Sequence, residues 1–135
     1  MIAAKTLAKK IAARLYGKLG FDIELLDVRK VCNISNYFLI CSAKNRYHIA
    51  ALSDMALEVL DEKHAPVFGV EGMVESGWVV VDVGSLIIHL FLPEVREYYD
   101  LSHLWSDAKL VELNFQDIPK PVRQIRKKSK KIIKR

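Results

Sequence analysis

A run of five consecutive apolar residues places the strongest constraint on the fold. Residues 37–41 read YFLIC and contain no charged side chain. Successive side chains of a strand point to opposite faces, so a strand without polar positions is typically buried on both faces. A sheet that contains such a strand needs a covering layer on each side, which amphipathic helices can supply. We therefore expect a central strand at residues 37–41 with helices on both faces of its sheet.

The segments around this run alternate between helical and strand patterns. Residues 2–19 and 46–63 repeat apolar side chains at steps of about four, as amphipathic helices do. The predicted strands are residues 22–28, 37–41, 66–70, 78–83 and 86–92, and two short helices follow at residues 93–98 and 101–105. This order predicts an α/β fold with a mixed five-stranded sheet flanked by helices.

Gly84 and Ser85 separate the last two predicted strands. A two-residue connection with glycine first suits the tight type II′ turn, whose first central residue needs a positive φ. We therefore expect the two strands to form a β-hairpin.

Charge divides the chain into two parts. The net charge is +5, but residues 120–135 hold nine Lys or Arg and no acids. The other 119 residues hold 12 basic and 16 acidic residues, a net of −4. We expect a single domain at residues 1–113 and a basic, flexible tail at residues 114–135. The tail can reach phosphates through its most basic stretch: Arg126, Lys127, Lys128, Lys130 and Lys131.

Composition also bears on the setting in which the chain works. No apolar run approaches the roughly 20 residues that a membrane span needs. Cys32 and Cys41 do not form a C-x-x-C motif, and free thiols fit a reducing compartment. These features favour the cytoplasm. The first 19 residues are basic, amphipathic and free of acids, so a mitochondrial presequence stays open as an alternative.

The pair Asp22 and Glu24 is the one pattern that suggests an enzyme. Two carboxylates separated by one residue share a face of a strand, as metal-dependent nucleotidyl transfer requires. That reaction also needs a glycine-rich phosphate cradle upstream, whereas Gly17 and Gly20 mark the end of a helix. The sequence contains no Walker, G-x-S-x-G or H-E-x-x-H motif. An outward polar face is the favoured interpretation, and we predict no catalytic, cofactor or metal site.

Aromatic and charged residues alternate between residues 78 and 105. Five of the twelve aromatic residues fall within these 28 positions, and Arg96 and several acids lie among them. Aromatic residues and Arg are the types that anchor protein interfaces, and surrounding acids favour a basic partner. Some of these residues are expected to be core instead, namely Phe91, one of Tyr98 and Tyr99, and the neighbouring His89. The segment therefore indicates a binding module.

Several segments of the chain resemble the ribosomal silencing factor family, also called Iojap-like. The resemblance covers about residues 1–113 and is most specific in GWVVVDVGSLIIHLF, residues 77–91, and VREYYDLSHLWSDAKLVEL, residues 95–113. Asn36, Ala43, Ser106 and Lys109 depart from the residues common in the family, which affects loop geometry rather than the resemblance itself.

The resemblance implies a fold related to nucleotidyltransferases but without their catalytic carboxylates. It also implies a translational repressor that binds the large ribosomal subunit through ribosomal protein L-fourteen. Such a factor blocks joining of the small subunit when nutrients are short, and is commonly a homodimer when free. The residues that the resemblance assigns to ribosomal-protein binding are Trp78, Arg96, Tyr98, Tyr99, Asp100, Leu101, Leu104 and Trp105. On a ribosome, the basic stretch at residues 126–131 of the tail would be a candidate contact to ribosomal RNA.

Overall fold

The fold was obtained as a computed structural model that describes residues 2–115. The five tail residues predicted to contact ribosomal RNA lie outside the described residues. In chain order the elements are α1 Ala4–Gly17, β1 Phe21–Asp27, β2 Tyr37–Ser42, α2 Arg46–Glu62, β3 Gly69–Glu71, a 3-10 turn Val74–Ser76, β4 Trp78–Asp82, β5 Leu86–Phe91, α3 Pro93–Tyr99, α4 Leu101–Leu104 and β6 Lys109–Val111.

The strands form one mixed sheet in the order β3-β4-β5-β2-β1-β6. All six residues of β2 are buried, which confirms the central strand predicted from its apolar run. β2 lies parallel to β5, with Tyr37 opposite Leu86 and Ser42 opposite Phe91. The other neighbouring strands pair antiparallel. The α/β class and the mixed sheet are therefore as predicted.

The sheet has six strands rather than the five expected from the sequence. The additional strand, β6, is three residues long and pairs with the outer edge of β1. Lys109 and Leu110 are exposed, so the segment shows no alternation between buried and exposed positions that would reveal a strand. β6 forms because the edge of β1 offers hydrogen-bond partners, and not because its own sequence has a strand pattern.

Both faces of the sheet are covered by helices. On one face, α1 and α2 enclose the larger core together with Leu39 and Cys41 of β2 and alternate residues of β5. On the other face, a smaller core surrounds Phe38 and Ile40 of β2, Phe91 of β5 and Leu101 of α4. The alternation along β2 therefore sends side chains into two separate cores.

The hairpin between β4 and β5 turns at Gly84, whose φ is +86°. This confirms the positive φ that the sequence predicted at this glycine. The Asp82 carboxylate accepts a hydrogen bond from the Gly84 N–H at 2.8 Å, and the Phe68 ring leaves no room for a Cβ. The turn places the two strands in register from Trp78 opposite Phe91 to Asp82 opposite Ile87.

Candidate docking surface

Two short helices, α3 and α4, cover the smaller core and display the residues that the sequence singled out. Pro93 occupies the first turn of α3, where a missing N–H costs nothing. Asp100 ends α3 with φ +46°, and its carboxylate accepts a hydrogen bond from the His103 N–H at the start of α4. One residue therefore both breaks the first helix and caps the second.

Four aromatic rings form a continuous series from the core to the surface. The Trp78 ring stacks on the buried Phe91 ring, with centroids 4.9 Å apart, and lies 4.7 Å from the Tyr99 ring. Tyr99 meets Tyr98 edge to face at 4.9 Å. Tyr98 is 80% exposed. As expected, Phe91 belongs to the core. The expectation that one of the two tyrosines is also core was wrong, because Tyr99 is 48% exposed even though its ring contacts Trp78.

α4 is attached to the sheet by two of its predicted contact residues. Leu101 is only 8% exposed and belongs to the smaller core. The Trp105 ring packs edge-on against Phe38, with centroids 5.5 Å apart. Leu104, in contrast, is 66% exposed. In this arrangement Leu101 and Trp105 support the surface, while Leu104 is available for contact.

Arg96 attaches α3 to β1 and to the end of β2. Its Nη1 donates to the Asp22 carbonyl oxygen at 2.6 Å and to Ser42 Oγ at 2.8 Å. Its Nη2 donates to Glu24 Oε1 at 3.0 Å, and the side chain is only 16% exposed. The structure thus places Arg96 as a positioning residue, although the sequence suggested a direct contact.

These contacts also alter the local geometry assumed for the Asp22 and Glu24 pair. Asp22 has φ +50°, and the pairing of β1 with β2 shifts register between Phe21 and Glu24. The regular alternation assumed for an acid-x-acid pair is therefore interrupted. The Glu24 carboxylate is engaged by a guanidinium, and within residues 2–115 no group of three or more His, Cys, Asp and Glu could hold a metal ion.

His89 lies beneath the aromatic series, as expected of a residue that supports the hairpin. Its Nδ1 accepts a hydrogen bond from the Trp78 Nε1–H at 3.3 Å, and the Phe38 ring lies edge-on at 5.1 Å. Burial lowers the pKa of His89 to about 4. His89 is therefore neutral near pH 7, and because its Nδ1 accepts, its proton is on Nε2. Within residues 2–115, that buried nitrogen has no hydrogen-bond partner.

Acids surround the exposed part of α3 and α4. The carboxylates of Glu94, Glu97, Asp100 and Asp107 all lie on exposed residues. Leu110, which the sequence did not indicate, extends the surface because it pairs with Leu26 of the smaller core and remains exposed. We define the docking surface as Tyr98, Tyr99, Leu104 and Leu110 with these four acids.

The comparisons with known proteins agree with this architecture. Residues 2–134 match the family model described as ribosomal silencing factor during starvation. The chain belongs to the ribosomal silencing factor family. It is 35% identical over 111 residues to ribosomal silencing factor RsfS of Bacillus subtilis, which covers 82% of this chain and 94% of that protein.

Relatives of this silencing factor extend to organelles and to solved structures. It is 31% identical over 125 residues to the mouse protein named mitochondrial assembly of ribosomal large subunit protein 1, covering 87% of this chain and 55% of that protein. A crystal structure of a Chromobacterium violaceum protein superposes with a TM-score of 0.74 at 28% identity, over 78% of this chain and 88% of that one. Within residues 2–115 of the silencing factor, no helix is long and apolar enough to cross a membrane.

Replacing His89 of the silencing factor should reduce its sensitivity to acid. A histidine whose pKa is lowered from 6.5 to about 4 contributes stability that is present above pH 6.5 and is lost as the pH falls towards 4. Wild type should lose about 2 kcal/mol of unfolding free energy from this group between about pH 7.5 and 5. Urea unfolding at both pH values should show a smaller loss for His89→Phe. The exposed His103→Phe serves as the control, and an unchanged loss in His89→Phe would contradict the assignment.

Removing the guanidinium of Arg96 should loosen α3 of the silencing factor. Arg96→Ala leaves the Glu24 carboxylate and the Asp22 carbonyl without this donor, which should cost about 2 kcal/mol. Amides of α3 should then exchange with solvent faster. Arg96→Lys should restore only part of the protection, because an ammonium cannot reproduce the forked geometry.

Arg29, which pairs with Asp27 on the surface, provides the control for this measurement. Arg29→Ala should change stability by less than about 1 kcal/mol. Equal exchange rates for α3 in the Arg96→Ala and Arg29→Ala variants would show that Arg96 does not position the helix.

Proposed function

We propose that this silencing factor is a translational repressor that binds the large ribosomal subunit through ribosomal protein L-fourteen. Occupation of that site would sterically block joining of the small subunit and hold translation down when nutrients are short. Membership of the ribosomal silencing factor family supports this assignment. The mechanism requires binding alone and no catalytic step.

The docking surface is the observation that carries the proposal. Tyr98 projects from rings that continue through Tyr99 and Trp78 to the buried Phe91, so its backbone is held in place before a partner arrives. Tyrosine buries a large area on binding at a small cost in conformational entropy. The surrounding acids complement a basic ribosomal protein and would speed its association.

The competing function, metal-dependent nucleotidyl transfer by Asp22 and Glu24, has less support. Glu24 accepts a charged hydrogen bond from Arg96, which itself holds α3. A metal ion at this carboxylate would have to displace that guanidinium. We therefore propose a non-catalytic factor, and a calorimetric titration with ATP and Mg²⁺ that shows no heat of binding would agree with it.

The basic tail and the cellular setting belong to the same proposal. Arg126, Lys127, Lys128, Lys130 and Lys131 would add salt-dependent contacts to ribosomal RNA. The matched bacterial silencing factors favour action in the cytoplasm. The mitochondrial name of the mouse relative keeps an organellar setting as the alternative.

Replacing Tyr98 and Tyr99 together with Ala should weaken binding to isolated large subunits by about tenfold or more, because anchor residues at interfaces are worth about 2 kcal/mol or more. Co-sedimentation of the factor with large subunits measures this loss. Tyr98→Ala alone, at a position with little burial, separates lost contact from lost stability.

Tyr47 offers a matched control, since it is 73% exposed and lies on α2, across the sheet from the docking surface. Tyr47→Ala should bind large subunits within about twofold of wild type, a change below about 0.5 kcal/mol. If the double variant Tyr98→Ala, Tyr99→Ala is folded and still binds large subunits as wild type does, the proposed surface is wrong.

We also propose that the free factor is a homodimer that pairs through β3. This strand forms one edge of the sheet, so its outer N–H and C=O groups face no neighbouring strand from the part of the chain that the structure describes. Val67, Phe68, Val70 and Met73 are exposed around it, and Glu71 is the single charged residue among positions 67–73. Two copies related by a two-fold axis would cover each other's exposed edge.

A lysine at this edge should break the dimer. Val70→Lys introduces a charge that the paired state would bury, so light scattering should show at least about tenfold weaker association, corresponding to about 1.4 kcal/mol. Ile34→Lys changes an apolar residue that is more exposed than Val70 and lies in the loop between β1 and β2, and it should leave association unaltered. A wild-type chain that stays monomeric, or a Val70→Lys variant that stays dimeric, would refute the edge assignment.

A further inference from the structure

The charged residues on the outward face of α1 are all basic. Its apolar side is buried in the larger core through Leu7, Ala8, Ile11, Ala12 and Leu15. Arg14 is paired with Glu62 of α2. The remaining charged residues of the helix and its end are exposed lysines, namely Lys5, Lys9, Lys10 and Lys18. No acid occurs among residues 1–19.

This helix is an exception within the folded domain. Residues 20–119 contain seven basic and 16 acidic residues, a net of −9, whereas residues 1–19 contain five basic residues and no acids. The acids of the docking surface lie over the smaller core, and α1 lies over the larger one. α1 and the docking surface therefore carry opposite charge and lie over opposite faces of the sheet, while α2 beside α1 carries the exposed acids Asp54, Glu58, Asp61 and Glu62.

The chain after β6 returns to the same helix. Leu113 packs against the larger core, and the Phe115 ring stacks on Tyr16 of α1 with centroids 4.5 Å apart and planes 3° from parallel. Phe115 and Lys9 line one shallow groove. The last residues that the structure describes therefore pack beside the lysines of α1.

We infer that the outward face of α1 binds the phosphate backbone of RNA. The choice of RNA rests on the proposed function, since a factor bound to a ribosomal protein lies next to ribosomal RNA. Lysine is depleted in the centres of protein interfaces, whereas Lys and Arg supply the main contacts to phosphate. The docking surface would hold the protein partner while the opposite face holds RNA.

A membrane surface fits this helix less well. Helices that lie on membranes insert a free apolar face between the headgroups. The apolar face of α1 is already buried against the sheet and α2, and none of the exposed large hydrophobic side chains of residues 2–115 belongs to α1. What α1 offers to a ligand is charge without an apolar anchor.

Charge reversal of Lys5, Lys9 and Lys10 in the full-length factor tests this inference. Glutamate forms helices about as well as lysine, so α1 should remain folded. Binding of a labelled, unstructured RNA oligonucleotide should weaken by at least about tenfold, and the slope of log affinity against log salt should fall by about three. The same three changes at Lys30, Lys44 and Lys63, which are exposed elsewhere, give an equal change in net charge and should retain most of the affinity.

The remaining outcomes separate this inference from the proposed function. An equal loss of RNA affinity in the two triple variants would show that only net charge matters, and this would overturn the α1 assignment. So would wild-type binding to anionic vesicles or to an acidic polypeptide but not to RNA. Co-sedimentation of wild type with large subunits, without any RNA binding, would refute this inference and leave the proposed function standing. Conversely, the double variant Tyr98→Ala, Tyr99→Ala should lose its binding to large subunits but keep its affinity for free RNA.

Discussion

Burial of β2 on both faces is the constraint on which the rest of the molecule depends. Leu39 and Cys41 require the cover that α1 and α2 provide, and Phe38 and Ile40 require a second cover. α3 and α4 are seven and four residues long, too short to be stable as isolated helices. They form because Leu101, Val95 and Trp105 pack on the second face. The proposed docking surface is therefore the outer side of the cover that this strand demands.

The same aromatic residues serve the core and the surface at different depths. Phe91 is fully buried, Trp78 is half-buried on it, and Tyr99 and Tyr98 continue the series outward. His89 completes this support by accepting the Trp78 indole hydrogen bond while remaining neutral. Substitutions at the inner members would alter folding and docking together, so only the outer tyrosines can report on docking alone.

Local sequence pattern predicted those parts of the fold that local physics determines. The apolar run of β2, the helical repeats of α1 and α2 and the glycine of the hairpin all appear where they were expected. β6 was missed because a three-residue edge strand with two exposed residues depends on its neighbour for its structure. The role of Arg96 was also missed, since its partners Asp22, Glu24 and Ser42 lie at least 54 residues away in the chain. The aromatic cluster indicated where the surface is, but burial decided which of its members are exposed.

Asp100 carries a consequence for how quickly and how tightly this surface can bind. Its left-handed backbone and its bond to the His103 N–H set the angle between α3 and α4 in the free protein. A surface whose two halves are already oriented loses little freedom when a partner arrives. Association can then proceed by rigid collision, and residence time is governed by how slowly the tyrosines leave their contacts. A surface built in this way can bind without first having to fold upon its partner.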